Sequence, residues 1–197
     1  MNPIPSEDLA RADYYAVLSR LFFAPPDAAF LTTLAAAGDV PAQGALPAAW
    51  SALCAAAAIT SAESAKEEYD SLFVAIGRPQ VVLYASWHLT GFMMEKPLAK
   101  LRDDLAALGL VRNGDILEPE DHFAALMDVM RHLLIDSTRT DGERLALQQK
   151  IFSSHISTWH ENLCDAIEAQ PGARLYRSAA DLVRVFFEIE KIMLQLC

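Results

Sequence analysis

The chain has 197 residues, 53% of them hydrophobic, with 16 basic against 26 acidic side chains and a net charge of −10. Length points to one domain spanning residues 1–197, able to bury most of the surface its unfolded form exposes, and a mean hydropathy of +0.18 excludes disorder. The acidic balance excludes nucleic-acid binding, which depends on Lys and Arg neutralising phosphate, and favours encounter with a basic segment.

Residues 1–13 are acidic and lack the basic start and apolar run of an export signal. Ser6 opens a first helix with Tyr14, Tyr15, Leu18, Leu21 and Phe22 on one stripe. Pro25-Pro26-Asp27 breaks it and starts a second helix, closed by Gly38. A loose stretch, 40–47, leads to a short helix over 50–53. Thr60-Ser61-Ala62-Glu63 reads as a capping box before a helix that buries Tyr69, Leu72, Phe73 and Ile76 and stops at Gly77.

Residues 78–97 are the least regular segment, a buried loop with short turns. Its uncharged part, 81–94, is too short for the ~20 residues a membrane span needs, so no stable membrane insertion is expected. Pro97 starts a helix marked by Leu98, Leu101, Leu105 and Leu108 and stopped by Gly109. A linker, 111–117, leads to Glu118-Pro119-Glu120-Asp121-His122, which reads as the first turn of a helix continued by Phe123, Leu126, Met127, Met130, Leu133 and Leu134. From Asp141 a stripe runs through Leu147, Ile151, Phe152, Ile156, Trp159, Leu163 and Ile167 as far as Pro171-Gly172, and a last helix covers about 175–196. The expected fold is all-α, with about eight to ten helices and one irregular loop.

Three carboxylates and an imidazole at one helix entrance exceed what capping needs. Asp121 offers two parallel acceptors, the geometry that a guanidinium matches, or else it satisfies N–H groups of its own helix. His122, neutral beside a positive helix end, donates one hydrogen bond and accepts another, or else orients Asp121. Tyr84, Ser86 and Trp87 supply aromatic surface and a hydroxyl from the irregular loop, suited to an apolar peptide face or to the core.

Glu-Pro-x-Asp-His opening an amphipathic helix resembles the signature of the TorD/DmsD/NarJ family of redox-enzyme maturation chaperones. Tyr69-Asp70-Ser71-Leu72-Phe73, a Gly77 turn and Tyr84-Ala85-Ser86-Trp87 resemble its Tyr-x-x-Leu-Phe and aromatic-small-Ser blocks. Residues 152–159, FSSHISTW, are similar to its Phe-x-x-His-Leu-x-x-Trp block, and Tyr15 to Leu21 followed by Phe22-Phe23-Ala24-Pro25-Pro26-Asp27 resembles its opening helix and turn. Two positions depart from the pattern: Leu83 stands where the family has Pro, and His88 where it has an aromatic. The resemblance implies a cytoplasmic chaperone without a cofactor. It would bind the twin-arginine signal peptide of a molybdenum- or tungsten-cofactor oxidoreductase through Asp121, His122, Glu118, Tyr84, Ser86, Trp87, Phe73 and Leu72. NarJ-type members leave open an assembly factor for mature client segments, and oligomeric state stays open between a monomer and a domain-swapped dimer.

The competing reading is a metal-dependent α-helical enzyme using His122 with Asp121 or Glu118 as an acid/base pair. His160 and Cys164 share a helix face and His155 lies nearby in sequence, but structural zinc takes four ligands and no further ones have suitable spacing. Nucleotide-binding and nucleophile-elbow motifs are missing from the sequence. Cys54, Cys164 and Cys197 are widely spaced outside any Cys-x-x-Cys motif and read as free thiols of the cytoplasm.

Overall fold

The computed structural model describes residues 3–38, 43–74 and 79–196. The expected roles of Ile76, Gly77 and Cys197, and parts of the 40–47 and 78–97 stretches, lie outside the described residues. Among the described residues ten α-helices follow in order: α1 Ser6–Phe23, α2 Ala28–Ala36, α3 Ala45–Ile59, α4 Ala62–Tyr69, α5 Ala85–Thr90, α6 Lys96–Ala107, α7 Phe123–Ile135, α8 Asp141–Ile151, α9 His160–Glu168 and α10 Leu175–Leu196. Single π-helical turns, Asp70–Val74 and Phe152–Ile156, continue α4 and α8. The fold is all-α, as the periodicity predicts. No single helix among the described residues is long and apolar enough to cross a membrane.

The described residues form two compact units. One lies within Met1–Phe23, Leu83–Trp159 and Lys191–Cys197, the other within Ala24–Val82 and His160–Glu190. In the first, α1 packs along α7: Tyr15, Leu18, Leu21 and Phe22 bury one stripe, Phe123, Leu126, Met127 and Met130 another. Phe22 and Phe123 meet edge to face at 4.8 Å, an arrangement that adds to plain area burial. In the second unit Phe73 meets Tyr69 at 5.2 Å and Tyr176 at 4.9 Å. There Glu68 accepts hydrogen bonds from the backbone N–H groups of Arg174, Leu175 and Tyr176, satisfying the otherwise unpaired donors where α10 begins.

Several expected boundaries move, each for a local reason. The signature helix starts at Phe123 with His122 as its N-cap, so Glu118, Glu120 and Asp121 precede the helix instead of occupying its first turn. The backbone at His122 is held extended because the flanking Phe123 N–H and Asp121 carbonyl are bonded to Leu83 and Ala85, which compete with helical partners. The irregular segment contains the six-residue helix α5. The cap of α4 is Ser61, which accepts from Ser64 N–H, so Glu63 falls one position short of the reciprocal box; Thr140 and Glu143 form such a box at α8. The stripe from Asp141 onward is divided between α8, a π-turn and α9. Ser157 N–H returns to Phe152 carbonyl at 2.9 Å, and Trp159 Nε1–H donates to His155 carbonyl at 2.6 Å. The short helix expected at 50–53 extends over all of α3, through the alanine run.

Candidate functional site

The signature segment is organised first by backbone. His122 N–H donates to Pro119 carbonyl at 3.1 Å and closes a turn. The chain then runs beside the start of α5: Phe123 N–H donates to Leu83 carbonyl at 2.8 Å, and Ala85 N–H to Asp121 carbonyl at 3.0 Å. Tyr84 and His122 face each other across this isolated antiparallel bridge, their rings edge to face at 5.1 Å. Residues 36 and 40 positions apart are thereby locked in register by two main-chain bonds.

Asp121 is 1% exposed. Its Oδ2 accepts from Ser86 N–H at 2.8 Å, so this carboxylate caps α5 and not its own helix. Asp121 Oδ1 and Ser86 Oγ are buried without hydrogen-bond partners among the described residues. Buried in this way, Asp121 is not open to a guanidinium arriving from solvent. Glu118 is exposed and accepts the Tyr84 hydroxyl hydrogen bond.

His122 Nδ1 accepts from Ala124 N–H at 3.2 Å, which caps α7 and puts the ring proton on Nε2. Burial pushes its pKa down to about 4, against the upward pull of Glu118 and Asp121. The ring is therefore neutral at ordinary pH and presents a donor, as its place at a helix start requires. It cannot share the positive charge needed to bind an anion.

These residues border a groove of about 320 Å³ between α6, the linker after it and the outer face of α7. Leu105, Leu110, Val111, Ile116, Ala125 and Val129 give it an apolar lining, with Phe23 at one side. Its polar margin holds Glu118, Glu120 and Asp128 together with Arg112, His122 and His132. Burial would raise the Glu120 carboxyl pKa, but hydrogen bonding from Arg102 and the charges of Arg102 and Arg112 take it below the usual carboxylate range. Glu118 and Asp128 are exposed, and Val111 and Leu117 stand out at 89% and 88% exposure. An apolar trough edged by the exposed carboxylates of Glu118 and Asp128, with Glu120 already paired to Arg102 and Arg112, suits a ligand that is greasy along one face and cationic at its end.

The other expected site residues are placed differently. Ser86 is fully buried, serving through its backbone, and Trp87 is half-buried on α5. Leu72 and Phe73 belong to the second unit, where Leu72 is core and Phe73 packs in the aromatic cluster. Sequence reasoning missed the groove's own lining. The available signals were apolar Val111 and Ile116 in the linker, and a second stripe on α7 formed by His122, Ala125, Val129 and His132 at helical spacing.

His88, which departs from the family pattern, stacks on Trp159 at 5.2 Å and 24°, so an imidazole fills the aromatic role. His155 Nε2 meets Asp104 at 2.7 Å, and Lys150 reaches the same carboxylate at 2.6 Å. Burial lowers the His155 pKa, with Asp104 opposing. Burial pushes the Cys164 thiol up to about 12, leaving it unreactive. Among the described residues no three His, Cys, Asp or Glu side chains gather as a metal ion would require.

Comparison with known proteins gives these features a context. A family model described as nitrate reductase delta subunit matches residues 41–165. The chaperone protein TorD of Vibrio cholerae serotype O1 (strain ATCC 39315 / El Tor Inaba N16961) is 28% identical over 130 residues, covering 63% of this chain and 59% of that protein. TorD of Vibrio atlanticus (strain LGP32) is 30% identical over 99 residues, 47% of this chain and 46% of that one. The match thus spans less than two thirds of these relatives' length. A crystal structure from Archaeoglobus fulgidus, described as a redox enzyme maturation protein, shares the fold with a TM-score of 0.60 at 17% identity, over 92% of this chain and 93% of that one. With the family model covering more than half of its residues, the chain belongs to the nitrate reductase delta subunit family, and the curated relatives it resembles are TorD chaperones.

Proposed function

We propose that this protein is a cytoplasmic chaperone that holds the twin-arginine signal peptide of a molybdenum- or tungsten-cofactor oxidoreductase until that client is mature. The observation that carries the reading is the groove beside the signature residues, apolar within and acidic at its margin. The peptide's apolar segment lies along Val111, Ile116, Ala125 and Val129. Its arginines face Glu118 and Asp128, exposed carboxylates that take a guanidinium's paired N–H groups. The net charge of −10 draws a basic peptide in. Binding is moderate and reversible, because ordering a flexible peptide consumes several kcal/mol of the contact energy.

Calorimetry with a twin-arginine leader tests this. Glu118→Lys combined with Asp128→Lys, both at exposed positions, leaves the fold intact and weakens binding at low salt at least tenfold, about 1.4 kcal/mol. Added salt weakens the wild-type interaction more than that of the double variant. Unchanged affinity in the double variant removes the acidic margin from the site.

A second reading has support from the matching family description: an assembly factor that binds mature segments of a nitrate-reductase-like client. A client lacking its leader distinguishes the two. Retention of that truncated client at full affinity favours the assembly role, and its loss favours the leader.

A further inference from the structure

We propose that a second copy of this chain seats the apolar tip after α5 in the acidic groove, giving a reciprocal dimer in which each copy covers the other's groove. The tip consists of Leu89, Phe92, Met93 and Met94, all exposed, with Phe92 at 68% and Met94 at 70%. Four large apolar side chains this close together are more than scattered surface hydrophobics. Phenylalanine with two methionines forms an adaptable apolar surface of the kind that seats in partner grooves.

The tip is built, not frayed. Gly91 N–H closes α5 on Trp87 carbonyl at 2.8 Å, with Gly91 at φ 80°. Phe92 N–H donates to Thr90 Oγ1 at 3.2 Å, and Thr90 Oγ1 donates to Ser86 carbonyl at 2.8 Å. Met94 has φ 59°, a left-handed conformation that a long unbranched side chain adopts at some energetic cost. The backbone is therefore held in a less favourable conformation in a segment whose apolar side chains face water.

Charge selects the occupant. Immediately after the tip come Lys96 and Lys100, exposed four residues apart at the start of α6, with Glu95 before them and Asp103 and Asp104 one turn after Lys100. Like charges at that spacing repel within one helix, and an anionic partner relieves the repulsion. The groove carries the exposed carboxylates Glu118 and Asp128, while Glu120 is paired with Arg102 and Arg112. Tip and groove are thus matched in both respects, apolar side chains to an apolar trough and lysines to carboxylates. The exchange is self-complementary, so two copies close on each other without further growth. The pairing stands whatever ligand the groove takes. Only its consequence, that a signal peptide and a second copy exclude each other, rests on the function proposed above.

Sedimentation velocity on the full chain, without peptide, tests the pairing. Wild-type protein doubles in mass as its concentration rises. Phe92→Asp and Val111→Asp, both at exposed positions, each weaken self-association at least tenfold. Mixing the two variants restores a 1:1 complex, weaker than wild type, because one tip and one groove remain intact between them. A wild-type chain that stays monomeric at every concentration overturns the proposal, as does a dimer that survives either substitution, including one made by exchange of helices. Failure of the mixed variants to pair while wild type dimerises overturns it in favour of tip-on-tip contact. A monomer that co-sediments through Phe92 with phosphatidylglycerol vesicles shows that lipid is the occupant and overturns it too. Calorimetry on a monomeric Phe92→Asp chain, whose groove is unaltered, tests the peptide reading separately.

Discussion

Asp121→Ala loses about 3 kcal/mol of stability, whereas Asp121→Asn loses about 1 kcal/mol, since removing an acceptor that serves a buried donor leaves the full desolvation penalty and replacing it does not. The asymmetry follows from where the carboxylate sits. It is fully buried, and Oδ2 holds Ser86 N–H at the start of α5. Alanine strands that N–H, and with it the six-residue helix loses its side-chain cap. Asparagine presents an oxygen at the same place. Urea unfolding measures both losses, which appear as midpoint shifts at constant slope. Hydrogen exchange across residues 84–90 rises in the alanine variant and stays near wild type in the asparagine one. Because Asp121 acts by positioning α5, the asparagine variant keeps its affinity for a twin-arginine peptide within about twofold, a difference well under 1 kcal/mol. A folded asparagine variant that no longer binds shows instead that α5 moves aside and the guanidinium pairs with Asp121 itself.

The second large effect is acid sensitivity centred on His122. Its ordinary pKa is 6.5, and in the folded chain it falls to about 4. Below pH 6.5 the unfolded chain takes up a proton that the folded chain refuses until about pH 4. The stability contributed by neutral His122 is therefore fully present above pH 6.5 and is lost as pH falls through that window, roughly 3 kcal/mol in all. His122→Asn keeps a side-chain oxygen to accept from Ala124 N–H, as a good N-cap does, and removes the titration. The asparagine variant loses less stability than wild type between pH 7 and pH 4, by up to that roughly 3 kcal/mol. His155, whose pKa is also lowered by burial, contributes with the same sign to both proteins and cancels in the difference. Parallel stability curves for the two proteins across that range would show that His122 is not held neutral by the fold.

Periodicity carried most of the fold. The stripes on α1, α6, α7 and α10 are legible because each helix buries one face against a neighbour, and a period of 3.6 is what one-sided burial leaves in a sequence. Boundaries failed where tertiary hydrogen bonds outcompete local preference. Glu118 to Asp121 have the composition of a helix start, yet the extended bridge to Leu83 and Ala85 delays α7 until Phe123. Ser157 to Trp159 continue an apolar stripe, yet a π-turn and the Trp159 hydrogen bond to His155 break the helix there.

The site was legible in part. Asp121, His122, Glu118, Tyr84 and Ser86 come together in the structure, through contacts between residues 34 to 38 positions apart. What composition could not separate is a residue that forms the site from one that faces it. Asp121 and Ser86 are buried and tie elements together, while Val111, Ile116, Ala125 and Val129 line the groove. Their apolar character by itself reads as core. Exposure distinguishes the two, and exposure depends on packing that single-residue chemistry does not encode.

The groove's occupancy by a cationic, apolar peptide is the central claim, and methyl resonances report it most directly. Titrating a twin-arginine leader into the isotopically labelled chain shifts Val111, Ile116, Ala125 and Val129 in saturable fashion, and the same leader with both arginines changed to glutamate leaves them in place. Saturable binding that moves none of these four methyl-bearing residues would contradict the account and put the peptide elsewhere on the molecule.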